Sequence, residues 1–268
     1  MPLVKLDDVG IYYEINGTGS PLVLIFGYGG NLDGWNHIVP FAKTLSKHFK
    51  VITLDNRGTG RSSSPEGPYS IPTMADDVAN LLEYLNIPKA HVLGESMGGM
   101  IAQEVALRHP EKVERLVLVC TGPGGDAYNV SGQMDSLEKI SWMYNPPKGM
   151  SGEDIMNGIF GVAVYPRFLE SHRMQLMEPS SDYPTSASTL EKHFMTILDH
   201  NTCDRLGDIG CETLIFHGEN DKLLFPYSGK VLAESIPNAR LVWLKETGHD
   251  IIDERGLEVI PQIISFLS

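Results

Sequence analysis

Cysteine is scarce in this chain, with three in 268 residues, Cys120, Cys203 and Cys211. An odd number without CxxC spacing or a histidine-rich partner segment argues against a disulfide framework and a zinc site, so each is read as a small buried apolar residue. Positive charge is also scarce: 21 Lys and Arg stand against 34 Asp and Glu, for a net charge of −13. Such a surface repels phosphate backbones and anionic lipid, which excludes nucleic acid and membrane surfaces as expected partners. No apolar run approaches the roughly 20 residues of a membrane helix. The opening Met1-Pro2-Leu3-Val4-Lys5 lacks the basic-then-apolar pattern of a secretion signal. The expectation is a cytoplasmic protein acting on a small molecule, with its oligomeric state unwritten in the sequence.

What is present is Val92-Leu93-Gly94-Glu95-Ser96-Met97-Gly98-Gly99-Met100, an apolar run that delivers a serine between glycines and passes into helical spacing. A serine at the apex of a strand-to-helix turn needs a strained backbone, and neighbours without a Cβ let the two arms approach. The bend pushes Oγ clear and aims the first helical N–H groups at the same spot. The five-residue pattern alone arises by chance in about 0.1 chains of this length. Its context raises the signal: Ala90 to Leu93 reads as a buried strand, and Met97, Met100, Ile101 and Val105 recur helically until Arg108-His109-Pro110.

Around the elbow, strands and helices alternate. Val4 to Leu6 and Ile11 to Glu14 read as an antiparallel hairpin. Leu22 to Phe26 is a continuous apolar run of the kind buried on both faces, followed by the loop Gly27-Tyr28-Gly29-Gly30. A helix is expected from about Trp35 to Ser46, a strand from Val51 to Leu54, and after the loop Asp55 to Pro68 a helix capped by Ser70, with Met74, Val78, Leu81, Leu82 and Leu85 on one face. The strand Val113 to Cys120 closes this half. From 121 to 210 no comparable strand occurs. The rhythm resumes with strand Thr213 to His217, a helix over Tyr227 to Ser235, strand Leu241 to Leu244 and a last helix from about Leu257 to Leu267. This predicts an α/β fold with a mostly parallel, eight-stranded sheet, helices on both faces and an inserted helical segment.

A serine hydroxyl needs a base to take its proton and a third group to orient that base. His249 alone among the histidines combines a strand-end loop, an adjacent glycine and the order Ser, acid, His. Asp221, in Gly218-Glu219-Asn220-Asp221 after a strand, is the leading acid, with Asp126 as runner-up. His217 is read as structural, Glu219, Asp250 and Asp253 as solvated loop carboxylates, and His193, His200 and Asp204 as a spacing that matches no tight metal pattern.

These motifs, with the loop Asp55-Asn56-Arg57-Gly58-Thr59-Gly60-Arg61-Ser62 and the endings Gly218 to Asp221 and Gly248-His249, resemble the α/β-hydrolase superfamily from about Leu3 to Leu267. Within it, the chain is similar to capped esterases and enol-lactonases of the 3-oxoadipate type. The resemblance implies an α/β-hydrolase core over 1–120 and 211–268, a helical cap over 121–210, and an oxyanion hole from the backbone N–H groups of Tyr28 and Met97. It implies ester or lactone hydrolysis through an acyl-enzyme, with no cofactor or metal. Phe26 departs from the histidine usual at its position. The alternatives are carbon–carbon hydrolysis of a diketone from ring cleavage and a slow-turnover ligand sensor.

The segment 121–210 holds seven of the chain's eleven methionines: Met134, Met143, Met150, Met156, Met174, Met177 and Met195. With Trp142, Tyr144, Phe160, Tyr165 and Phe168 they suggest an adaptable apolar pocket, with Phe26, Trp142, Tyr144 and Phe160 as its expected substrate contacts. A charged substrate would call on Arg57, Arg167 or Arg173.

Overall fold

Successive side chains of a strand point to opposite faces, so the continuous apolar runs of the central strands need cover on both, and this sheet has it. The computed structural model describes residues 3–134, 137, 141–143 and 145–268. Its strands are β1 (Leu3–Leu6), β2 (Val9–Asn16), β3 (Pro21–Ile25), β4 (Lys50–Leu54), β5 (Ala90–Glu95), β6 (Val113–Val119), β7 (Thr213–Gly218) and β8 (Ala239–Leu244). They form one eight-stranded sheet in the order β1-β2-β4-β3-β5-β6-β7-β8. The hairpin β1–β2 and the β2–β4 pair are antiparallel, and every other pairing is parallel.

Alternation sorts the core into two layers. Val23, Ile25 and Val92 point to one face, where they meet Val78 and Leu82 of α2 (Ile71–Tyr84) and Met100 and Ile101 of α3 (Met97–Arg108). Leu22, Leu24 and Leu93 point to the other, against Phe41 and Leu45 of α1 (Phe41–Leu45) and Val259 and Ile263 of α9 (Ile251–Leu267). Ser70 Oγ accepts from Thr73 N at 3.2 Å, the cap that starts α2.

Element bounds moved where local chemistry outweighs periodicity. The helix expected over Trp35 to Ser46 is a 3₁₀ turn, Leu32–Asn36, and a separate short α1, because Pro40 disfavours helical backbone at the residue before it. The last helix starts at Ile251, earlier than expected: Asp250 caps it, and Asp253 and Glu254 occupy its first turn, where the helix dipole favours negative charge. β3 ends at Ile25, leaving Phe26 in the loop.

Between β6 and β7 the chain forms α4 (Gly125–Ser131), α5 (Gly152–Ala163), α6 (Pro166–Met177) and α7 (Ala187–Asp199), and α8 (Pro226–Ser235) lies between β7 and β8. A reciprocal Ser151–Asp154 capping box opens α5. Among the described residues, no helix is long and apolar enough to cross a membrane.

Candidate active site

Ser96 occupies the turn between β5 and α3 with φ 54° and ψ −120°, a conformation an L-residue adopts only under constraint. The constraint is close packing. A Cβ at Gly98 would run into the Ile25 carbonyl oxygen, and one at Gly94 into the carbonyl of Gly98. Ser96 N donates to Val119 O at 2.9 Å, and Thr121 Oγ1 donates to Ser96 O at 2.7 Å. The backbone of the serine is thereby locked to the end of β6 and the loop that follows it. Met97, fully buried, is the first residue of α3, where backbone N–H groups lack helical acceptors.

The loops after β7 and β8 carry the groups that meet this serine. They lie against each other so closely that a Cβ at Gly218 would strike the Gly248 carbonyl. His249 Nε2 stands 2.9 Å from Ser96 Oγ, and His249 Nδ1 stands 2.7 Å from Asp221 Oδ2. The other oxygen, Asp221 Oδ1, accepts from Leu223 N at 2.8 Å and Leu224 N at 2.9 Å, which fixes the buried carboxylate. Burial works against an imidazolium at His249. The Asp221 charge and hydrogen bond, reinforced by Asp250 and Glu254, outweigh it and raise its pKa above the ordinary value of 6.5. His217 keeps the structural role read from sequence: it is buried in β7, and its Nε2 donates to Leu224 O at 2.8 Å. Asp126 is exposed at the start of α4, away from this chain of hydrogen bonds.

Facing the serine is the loop after β3. A Cβ on Gly27 would sit 3.1 Å from Ser96 Cβ, so backbone there passes at van der Waals contact and brings Tyr28 beside Ser96. Phe26, the departure noted above, shows how the loop is held without a histidine. Its ring meets Trp35 edge-on at 5.0 Å, Gly30 and Gly34 pass directly beneath it, and its carbonyl accepts from Asn56 Nδ2 at 3.0 Å. His193, buried in α7, fixes the next stretch: Nδ1 accepts from Gly29 N at 3.4 Å, and Nε2 donates to Arg57 O at 3.0 Å. Those two bonds require the neutral ring, and burial pushes its pKa down to about 4. Among the described residues, no three His, Cys, Asp or Glu cluster in a way that could hold a metal ion.

A cavity of about 430 Å³ opens over Ser96 and His249. Of the four expected contacts, Phe26 and Phe160 line it, joined by Tyr28 and by Met156, Ile159, Leu190 and Phe194 from the segment between β6 and β7. Trp142 does not; it packs against Gly158 of α5. Tyr144 lies outside the described residues. Nor does the methionine abundance build the pocket, since Met150, Met174 and Met195 are exposed. None of the expected cations reaches the cavity. Arg57 is buried in a bidentate pair with Asp77 at 2.7 and 2.8 Å, Arg173 is exposed, and Arg167 borders a different surface hollow. Cys120 is buried as anticipated, while Cys203 and Cys211 are only partly so.

Acidic groups occupy the place where cations were sought. Glu95 and Asp250 both line the cavity, and burial raises the pKa of each, Asp250 to about 7. Asp250 and Asp253 are not solvated loop residues: Asp250 caps α9, and buried Asp253 accepts from Ile38 N at 3.0 Å and stands 3.2 Å from His37 Nδ1. Glu219 is exposed, as expected. Glu254 accepts from Gly248 N at 3.0 Å and Tyr165 N at 3.2 Å, tying the histidine loop to α6. The sequence signal for Glu95 was present, a charged residue ending an otherwise apolar strand. Nothing local marked Glu254 or His193.

Residues 20–256 match the family model described as the alpha/beta hydrolase fold. The chain belongs to this family. It is 31% identical over 246 residues to RutD of Azorhizobium caulinodans, whose name carries a provisional assignment as a carbamate hydrolase, with 90% of this chain and 88% of that protein covered. The enol-lactonase of Burkholderia xenovorans superposes with a TM-score of 0.83 at 25% identity, over 99% of each chain. A meta-cleavage product hydrolase of Pseudomonas fluorescens superposes with a TM-score of 0.77 at 25% identity, over 96% of this chain and 94% of the other. The α/β-hydrolase fold and hydrolase class of the chain accord with these matches.

Proposed function

We propose that this hydrolase cleaves an uncharged, small-molecule carboxylic ester or lactone through an acyl-enzyme on Ser96, with His249 as base and Asp221 as its orienting acid. The observation that carries the reading is the unbroken hydrogen-bond chain Ser96 Oγ, His249, Asp221 at 2.9 and 2.7 Å. Neutral His249 donates its Nδ1–H to Asp221 and takes the Oγ proton on Nε2 as Oγ bonds to the carbonyl carbon. The oxyanion forms against the backbone N–H groups of Tyr28 and Met97, each worth about 3 kcal/mol in a transition state. Nε2 then protonates the departing alcohol oxygen. Water repeats the sequence, giving a proton to Nε2 and its oxygen to the acyl carbon, and Oγ recovers its proton as the acid leaves.

Residues 121–210 are proposed as a cap over this site, and 1–120 with 211–268 as the core. Support comes from Met156, Ile159, Phe160, Leu190 and Phe194 lining the cavity from above. The substrate's lack of negative charge follows from the lining: among the described residues no Lys or Arg faces the cavity to pair with a carboxylate. A carboxylate-bearing lactone is therefore disfavoured. The test is a panel of p-nitrophenyl esters of increasing chain length run beside a neutral lactone, an enol-lactone carboxylate, a carbamate and a diketone. Preference for the neutral esters or lactone, lost in Ser96→Ala, supports the proposal. Turnover of the diketone or carbamate alone overturns it, and labelling by a fluorophosphonate with one turnover or fewer indicates a sensor.

A further inference from the structure

Glu95 immediately precedes Ser96 and is about 6% exposed, yet it is one of the residues that line the substrate cavity. Its Oε2 has no hydrogen-bond partner among the described residues. An unsatisfied buried carboxyl oxygen is costly, and native proteins meet that need with water or ligand. The rest of the lining is mainly apolar, so this group stands out as a polar point beside the nucleophile.

We propose that Glu95 is a specificity-determining residue whose carboxyl group hydrogen-bonds an oxygen acceptor on the substrate next to the scissile carbonyl: a keto, hydroxyl or ether oxygen. The inference rests on the ester-hydrolase reading above and narrows its substrate class to oxygenated esters or lactones.

The electrostatic surroundings decide which partner the carboxyl takes. The charges of Asp250, the cap of α9, and Asp253, in its first turn, act on it, and Glu95 in turn raises the pKa of Cys120, the residue after β6. His249 is the other titratable group in the lining. Asp253 is engaged by His37 and the Ile38 amide, and Asp250 by the Asp253 amide at 3.4 Å, and neither is hydrogen-bonded to Glu95 Oε2. Burial and these like charges raise the Glu95 pKa well above the usual carboxylate value, which favours the protonated acid. A protonated carboxyl donates an O–H, and an acceptor oxygen satisfies it where an alkyl chain cannot. Desolvating that O–H against alkyl leaves it unpaired, which is the kind of mismatch that discriminates substrates strongly.

The experiment measures kcat/KM for two matched pairs: p-nitrophenyl 4-oxopentanoate against p-nitrophenyl hexanoate, and 2-methoxyethyl butanoate against butyl butanoate. The unmodified protein is expected to favour the oxygenated member of at least one pair by about tenfold. Glu95→Leu is expected to bring that ratio to about one, and Glu95→Gln, whose amide N–H still donates, to retain it. The preference is expected to fall at high pH in the unmodified protein but not in Glu95→Gln. Ratios that are unchanged in Glu95→Leu, or near one in both pairs for the unmodified protein, overturn the subsite. If no ester is cleaved at all, the ester-hydrolase reading fails, and infrared spectroscopy tests Glu95 separately. A protonated-carboxyl C=O band absent from Glu95→Gln and shifted by added hexan-2-one supports the subsite, and a band that does not respond overturns it.

Discussion

The β5–α3 turn and α5, on which α6 packs, lie on opposite sides of one cavity but are built in opposite ways. Every residue of β5 is buried, and Gly94 and Gly98 allow backbone contacts that admit no Cβ. By contrast, α5 and α6 contribute only Ala163 and Leu176 to the buried core. Dense packing holds the reacting groups within tenths of an ångström, which the chemistry demands. A thinly packed cover can change its side chains at low cost in stability, which suits selection among substrates.

Several bonds from the segment between β6 and β7 land on the loops that carry the site. The Ala163 carbonyl accepts from His249 N at 2.6 Å and Asp250 N at 3.2 Å, Glu254 links Gly248 to Tyr165, and Thr185 Oγ1 donates to Gly29 O at 2.7 Å. His193 completes the dock at Gly29 and Arg57. The cover is therefore fastened to the histidine loop and to the loop bearing Tyr28.

The sharpest way to separate the two regions is to remove the chemistry while keeping the packing. Ser96→Ala and His249→Ala are each expected to lower kcat for a cleaved ester by about 10⁶-fold, with little change in melting temperature. Asp221→Asn is expected to cost about 10⁴-fold, because His249 loses the acceptor that sets its tautomer. The same variant tests the pH dependence. Only neutral His249 is a base, and its raised pKa puts the acid limb of kcat/KM above pH 6.5 in the unmodified protein. Without the Asp221 carboxylate the imidazolium loses its largest favourable partner, and the limb is expected to move to lower pH.

The core side of the contrast predicts low tolerance. Gly98→Ala sets a Cβ against the Ile25 carbonyl and is expected to destabilise the fold by about 3 kcal/mol, read by denaturant unfolding. On the cover side, Phe160→Ala is expected to raise KM for long-chain esters about tenfold while costing under about 1.5 kcal/mol, since Phe160 is only half-buried. Equal stability losses at both sites would erase the distinction. The smallest effect concerns the dock. His193 titrates near 6.5 when unfolded but at about 4 when folded, so its contribution is intact above pH 6.5 and lost as pH falls through 4. Hydrogen exchange along α7 is expected to rise over that range before it rises in β5, and less steeply in His193→Gln.

Legibility in the sequence followed the same division. Strong periodicity and short-range turn chemistry marked all eight strands and the Ser96 elbow, and strand-end position singled out His249 and Asp221. Those residues are fixed by local backbone rules. Contacts made across long sequence separations left little trace: Trp142 lies against Gly158 instead of the cavity, Arg57 is consumed by Asp77, and the Pro40 break in α1 overrode an apolar helical pattern. Glu95 was visible beside the serine, but only the fold reveals that its neighbours are Asp250 and Asp253 and that no cation lies among the described lining residues.

The central claim, that Ser96 is the nucleophile activated by His249, is tested most directly by reacting the protein with a fluorophosphonate and mapping the modified peptide. The expected result is one adduct per chain on Ser96, with labelling lost in Ser96→Ala and slowed strongly in His249→Ala. An adduct on another residue, or undiminished labelling of Ser96→Ala, would contradict the account.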